Sequence, residues 1–390
     1  MRKCIALLLI LICLTCSACA APAESAIGVR LAALNVGKGD CLLLMLDGRS
    51  YLIDSGYEYT WNLLREALRQ YGITRLDGVI LTHCDKDHSG GLMPLAQSDI
   101  EVGAWYASEF YYDVKENQHP LMLAAAERGD TVHWLSAGDA FDLSESASLL
   151  AVGPLTLNET NENNNSLVFY VDTDEGTLLF TGDMKLEEEF ELLKAGMIGP
   201  ADLLKVPFHG DNTASSQSFV EAVMPRAALI CTSTAQEPDT PAPSVIKRYA
   251  RAGAEVYVTQ EYAQGVELTL RSGEVTARGL DWELPDYSKY LRASIDVEND
   301  LLTLYNSSAE NIPLAGWIVY SSKGGECVTL PENTLLPANG VFKLGTRASG
   351  DGATLRLDIK RLWHKSKYDQ AMIFDSTGGL AAVTDNGMPE

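Results

Sequence analysis

The strongest constraint on this chain is a set of short apolar runs that each stop at a group able to bind a metal. "YLID" stops at Asp54, "VILTH" at His83, "LLFTGD" at Asp183 and "LLKVPFHG" at His209. The loop "THCDKDHSGG" then crowds His83, Asp85, Asp87 and His88 together and follows them with two glycines. Apolar runs of this length read as buried strands. Strands of one sheet can bring their ends together although they lie far apart in sequence, and in α/β folds ligands collect at the C-terminal strand ends. Imidazole and carboxylate together suit divalent zinc, manganese or iron. Read alone, the loop is a polar turn in which Asp87 caps a helix. In the company of Asp183 and His209 it reads as a metal centre.

The elements between these points support an α/β arrangement. "IGVRLAALNVGKGDCLLLMLDGRSYLIDSG" reads as three strands, with Asp47-Gly48 as a hairpin turn. "TWNLLREALRQYG" has helical spacing, with Thr60 as N-cap and Gly72 past the end. "SLLAVGP" and "SLVFYVDTDEGTLLFTGD" return to strands, and Asn163, Asn164 and Asn165 precede the second. "KLEEEFELLKAG" reads as a helix with a solvated acidic face, and two helix-then-strand units follow it. Hairpins first and alternating helices later suit two mixed sheets between helices. After Asp281 the texture changes to short alternating strands with Gly, Pro and Asn turns. The expected organisation is an α/β unit over 27–280, a linker at 281–290 and a small all-β sandwich over 291–390.

The first residues, "MRKCIALLLILICLTCSACAAPAESA", carry Arg2 and Lys3 before an apolar stretch and then small residues. This is the layout of an export signal over 1–20, with a stretch too short to span a membrane comfortably. Ser17-Ala18-Cys19 resembles the end of a bacterial lipobox, which implies lipidation at Cys19. The expected location is a cell-surface lipoprotein or a secreted protein. Four cysteines remain outside the leader, scattered at 41, 84, 231 and 327, which is no disulfide framework. The formal net charge of -23 repels phosphate backbones. A nucleic-acid substrate therefore needs a local basic face, expected around Lys38, Lys86, Lys185 and Lys205, or the metal ions themselves.

"THCDKDHSGG" resembles the metallo-β-lactamase superfamily signature His-x-His-x-Asp-His-x-Gly-Gly. "YLIDSG", "LLFTGD" and "KVPFHG" resemble its other motifs in the same order. "LNVGKGDCLLL", "NNNSLVF" and "LLKVPFHG…SS" are similar to the soluble domain of the ComEC competence family, where the second His of the signature is commonly Asp, as Asp85 is here. The resemblance implies a four-layer αββα sandwich and one or two divalent ions, zinc or manganese. It assigns Asp87, His88 and His209 to one ion, His83 and Asp85 to the other, and Asp183 as the bridge. Asp54 would orient a ligand from behind, and Asn165 lies where other branches supply a further His. Lys205 would contact a substrate phosphate, and Asp85 would assist proton transfer. Phe208 departs from the family's Pro-His-His-Gly, and Asp85 and Asn165 leave one ion site poor in nitrogen. The region from "LTLYNSSAENIPLAGWIVYSS" onward is similar to the lamin tail domain, an immunoglobulin-like sandwich, and implies a binding or spacing module with an unknown cell-surface partner.

Three functions follow from this reading. The first is an exported metal-dependent phosphodiesterase, with DNA as a candidate substrate and a metal-bound hydroxide as nucleophile. The second is a hydrolase of small esters, lactones or amides. The third is a cell-surface DNA- or ligand-binding protein on a degenerate hydrolase fold.

Overall fold

The computed structural model describes residues 28–112, 118–349 and 352–388. The export signal and Cys19 lie outside the described residues. Two mixed sheets face each other. One has eight strands and the other seven. In the first, Val29–Leu34, Cys41–Leu46 and Arg49–Ser55 pair antiparallel, and Arg49–Ser55 then runs parallel to Gly78–Leu81. In the second, Ala147–Gly153, Val168–Thr173 and Gly176–Phe180 pair antiparallel, and Leu203–Lys205 and Ala227–Ile230 continue in parallel. The order follows from the connections. Hairpins join antiparallel neighbours, whereas parallel neighbours need a crossover helix. Asp47 and Gly48 both adopt positive φ, 48° and 74°, the conformation that a tight hairpin demands.

These strands read as continuous apolar runs because they are buried on both faces. Leu31, Ala33, Leu42 and Leu44 point inward to meet Leu149, Phe169, Val171 and Leu229 of the facing sheet. Ala32, Leu34 and Leu43 point outward under helix Trp61–Tyr71 and helix Pro120–Glu127. On the far side, helices Leu186–Ala195, Gln217–Val223 and Pro243–Arg251 cover Val168, Leu179, Leu204 and Ile230. The result is four layers, αββα. Helix Trp61–Tyr71 ends on Gly72 at φ 67°, the left-handed stop that its sequence predicts. The expected solvated acidic face on Leu186–Ala195 is corrected at two positions. Glu188 and Glu189 are 2% and 0% exposed. Glu189 turns inward because it accepts the backbone N–H of Ser216 at 3.0 Å.

The C-terminal region is all β. Leu291–Asp296, Leu301–Asn306, Val341–Gly345 and Leu355–Arg356 form one sheet, and Cys327–Thr329, Ile318–Ser321, Gln370–Phe374 and Leu380–Asp385 form another. Trp317, Phe342 and Trp363 fill the core between them. Buried Asp300 accepts the backbone N–H groups of Leu362 and Trp363, which ties the long loop to the sandwich. This unit docks on helix Trp61–Tyr71. The buried amide of Asn62 donates to the carbonyls of Gly316 and Asp375, each at 2.8 Å. Ile318 and Phe374 enter the same apolar core as Trp61, Leu63 and Leu64.

Candidate metal centre

Strand ends and the loops that follow them build the centre along one edge of the sandwich. Asp54 closes strand Arg49–Ser55 with φ 54°, and its carboxylate is fully buried. It accepts the backbone N–H and the hydroxyl of Thr82 at 2.8 and 2.7 Å and meets His88 Nδ1 at 2.7 Å. With Nδ1 committed as donor, His88 turns its Nε2 toward Asp183 and Asp87. His209 follows strand Leu203–Lys205 at φ 52°, and its Nδ1 donates to the carbonyl of Cys231 at 2.8 Å. Its Nε2 lies 3.0 Å from Asp183 and 3.3 Å from Asp87. His88 Nε2 lies 3.3 Å from the other oxygen of Asp183. Asp87, His88, Asp183 and His209 thus each present one atom within 4.8 Å of the rest, and all four side chains are buried.

The two glycines after His88 have a steric role. A Cβ on Gly90 would lie 2.3 Å from the backbone nitrogen of Glu58, and one on Gly91 would lie 2.5 Å from the carbonyl of Ser55. Only glycine lets this loop close against the Ser55–Glu58 turn and bring His88 to Asp54.

The donor set fits a divalent ion. His88 Nε2, His209 Nε2, His83 Nε2 and Asp183 Oδ1 are buried without a hydrogen-bond partner. Buried polar groups left unpaired are costly, and a cation at their meeting point satisfies them together. Within the cluster the imidazoles and carboxylates also attract one another as opposite charges. Burial would depress the His209 imidazole, but the Asp183 carboxylate outweighs it and holds His209 up at about 9. Burial would raise Asp87, yet its contact with His209 and the charge of His88 hold it well below the usual carboxylate range. Metal binding replaces these protons.

His83 flanks this group more loosely. Its Nε2 is 3.5 Å from Asp85 and 3.9 Å from Asp183. The Asp85 side chain is half exposed and marks the mouth, the solvent-facing side of the cluster. Asn165 does not join the ligands. Its carbonyl accepts the N–H of Asn158 at 2.7 Å and its amide donates to Asn158 and Glu162, so it is spent on its own loop. The expectation that Lys205 meets a substrate phosphate is corrected. Its side chain is 1% exposed, and its ammonium lies 2.5 Å from Asp40 and donates to the carbonyl of Gly182 at 3.2 Å. It neutralises an acid beneath the metal site and does not face the opening.

Two contributors escaped the sequence reading. Asp40, besides pairing with Lys205, lies 3.7 Å from His209 Nδ1 and 3.9 Å from His88 Nδ1, under both ligands. Its signal was a charged residue directly before the wholly apolar strand Cys41–Leu46. Glu162 accepts the N–H groups of Cys84 and Tyr112 at 3.3 and 2.5 Å and pins the loop that carries His83 and Asp85. Nothing in its surroundings in the sequence marks it. At the mouth, Lys38 lies 3.7 Å from Asp87, and Lys38 and Lys185 reach over the half-buried Phe208 ring at 5.7 and 4.5 Å.

The metallo-beta-lactamase superfamily profile matches residues 34–234. ComE operon protein 3 of Bacillus subtilis is 28% identical over 41% of this chain and 20% of its own length. Recombination protein 2 of Haemophilus influenzae is 28% identical over 62% of this chain and 28% of its own length. The chain thus spans under a third of either relative. The metallo-β-lactamase fold protein YhfI from Bacillus subtilis aligns over 64% of this chain and its whole length, at 14% identity and a TM-score of 0.41. With the profile matching more than half of its length, the chain belongs to the metallo-β-lactamase superfamily.

Proposed function

We propose that this protein is an exported, metal-dependent phosphodiesterase with DNA as its candidate substrate. The observation that carries the reading is the buried set Asp87, His88, Asp183 and His209, whose ligand atoms lie within 4.8 Å of one another, with His88 Nε2, His209 Nε2 and Asp183 Oδ1 unpaired. When bound, a divalent ion supplies Lewis acidity and the means to deprotonate water near neutral pH. The residues do the rest. Asp54 and Cys231 fix the two imidazoles by their Nδ1 atoms. Asp183 reaches toward His88, His209 and His83, so it holds the junction between the closed site and the looser His83–Asp85 flank. Asp85, half exposed at the mouth, is placed to take a proton from the incoming water or pass one to the leaving oxygen.

Lys38 and Lys185 support a phosphate-bearing substrate. The chain is strongly acidic overall, yet both lysines gather at the mouth beside Phe208. Ammonium groups there offset the field of the acidic ligands and can contact non-bridging phosphate oxygens. The competence and recombination names of the relatives favour DNA among phosphodiesters. The leader favours export, with lipidation at Cys19 as the anchoring step, and the C-terminal sandwich is read as a lamin tail-like module.

The test is cleavage of linear and circular DNA with added manganese, with a chelator, and with Asp183→Asn. Cleavage that needs both metal and Asp183 supports the reading. Equal cleavage by Asp183→Asn refutes it.

A further inference from the structure

The C-terminal sandwich touches the catalytic unit at the turn that walls the metal centre. Tyr59 is 5% exposed and sits at the junction. Its ring stacks on Tyr320 at 4.2 Å and on Phe374 at 5.4 Å, both from the C-terminal unit. It also stacks on Tyr57 at 4.9 Å, nearly parallel. A Cβ on Gly90 would lie 2.7 Å from the Tyr57 backbone carbonyl carbon, so the turn that carries Tyr57 packs directly on the loop that carries Asp87 and His88.

A second line of contacts leaves the same residue. The hydroxyl of Tyr59 accepts a hydrogen bond from the Gln236 amide at 2.8 Å. The carbonyl of that amide accepts the backbone N–H of Lys38 at 2.5 Å. Gly37 permits this approach, since it adopts φ 86° and a Cβ there would lie 2.4 Å from Gln236 Oε1. Lys38 in turn reaches Asp87 and Phe208. The stack is not free to slide, because Asn62 bonds two carbonyls of the C-terminal unit. Gly378 also packs against Leu63, where a Cβ would lie 2.5 Å from the Leu63 backbone nitrogen.

We infer that the C-terminal sandwich is a working part of the metal centre: through Tyr59 it holds the Lys38 loop and the Tyr57 wall at the mouth and so sets substrate affinity. Tyr59 and Gln236 are positioning residues. They act through Lys38, which rests on the phosphodiesterase reading above for its phosphate contact. The docked face of the sandwich belongs to this unit.

The experiment uses the full manganese-loaded chain and three variants: Tyr59→Phe, Gln236→Ala and Tyr320→Leu. Tyr59→Phe removes only the hydroxyl, and Gln236 is exposed, so neither disturbs the core. Hydrogen exchange of the backbone over residues 36–39 is followed by mass spectrometry, and KM and kcat are measured with bis(p-nitrophenyl) phosphate. Loss of one hydrogen bond in this line should speed exchange of the Lys38 amide about three- to tenfold. KM should rise by a similar factor, with kcat within about twofold of the parent. Tyr320→Leu, which changes only a residue of the C-terminal unit, should show both effects. Unchanged exchange and KM in Tyr320→Leu overturn the inference. So does a loss of kcat that follows thermal stability while KM stays fixed. A parent chain that leaves the probe intact overturns the phosphodiesterase reading, and the exchange of Tyr320→Leu then decides the coupling by itself.

Discussion

Replacing Lys205 by methionine should destabilise the fold far more than it affects substrate binding. The ammonium and the Asp40 carboxylate are each 1% exposed and 2.5 Å apart. Burial would lower the Lys205 pKa, but Asp40 and Asp183 outweigh it and keep the side chain charged. Methionine fills nearly the same space and removes the charge. Asp40 then stays buried without its counter-ion, beside Asp54 and the acidic ligands. Breaking one side of a buried pair costs about 3–5 kcal/mol, and the lost hydrogen bond to Gly182 adds about 1 kcal/mol. Removing both charges, in Lys205→Met with Asp40→Asn, should recover most of that loss. Urea unfolding of the chelator-treated chain measures the cycle without metal binding in the balance. A cost below about 1 kcal/mol for Lys205→Met, together with a raised KM, would mean that the ammonium is free to reach substrate. That result refutes the internal role derived for it.

Asp54→Ala should weaken metal binding by about 10- to 100-fold, because His88 loses the partner that fixes its ring, and calorimetric titration with manganese reads this directly. Gly90→Ala should be poorly tolerated, since its Cβ meets the Glu58 backbone at 2.3 Å, and a thermal midpoint within a degree of the parent would contradict the close-packing argument. Glu188 is fully buried, neither oxygen has a hydrogen-bond partner, and burial raises its pKa well above 4.5. A raised carboxyl contributes stability that is complete below the unfolded value and is lost as pH rises through the folded value. Glu188→Gln should therefore change little at pH 4 and stabilise by about 1–3 kcal/mol at pH 8, and equal effects at the two pH values would sink the assignment.

Much of this site was legible because the residues that bind metals stand at the ends of apolar strands. Asp54, His83, Asp183 and His209 are each announced by the run before them. The two facing sheets were legible for the same reason, since hairpin turns and crossover helices leave different spacings. Asp40 has no such signal, because it precedes its strand instead of ending one. Lys205 was misplaced because a lysine at a strand end gives no sign of a buried acid contributed by a loop far earlier in the chain. Glu188 and Glu189 look solvated because "LEEEF" is locally as polar as a surface helix, and only the Ser216 N–H that bonds Glu189 and the Gly153 backbone that closes on Glu188 make that face internal. The Tyr59–Tyr320–Phe374 stack joins two units whose contact has no local signal in either.

The most direct test of the central claim is calorimetric titration of the chelator-treated chain with manganese and with zinc, beside Asp183→Asn and His209→Ala. The account predicts a tight ion in the parent that both substitutions abolish, with the variants still folded by circular dichroism. Unaltered binding in the two variants would contradict it, because the buried cluster would then not be where the metal sits.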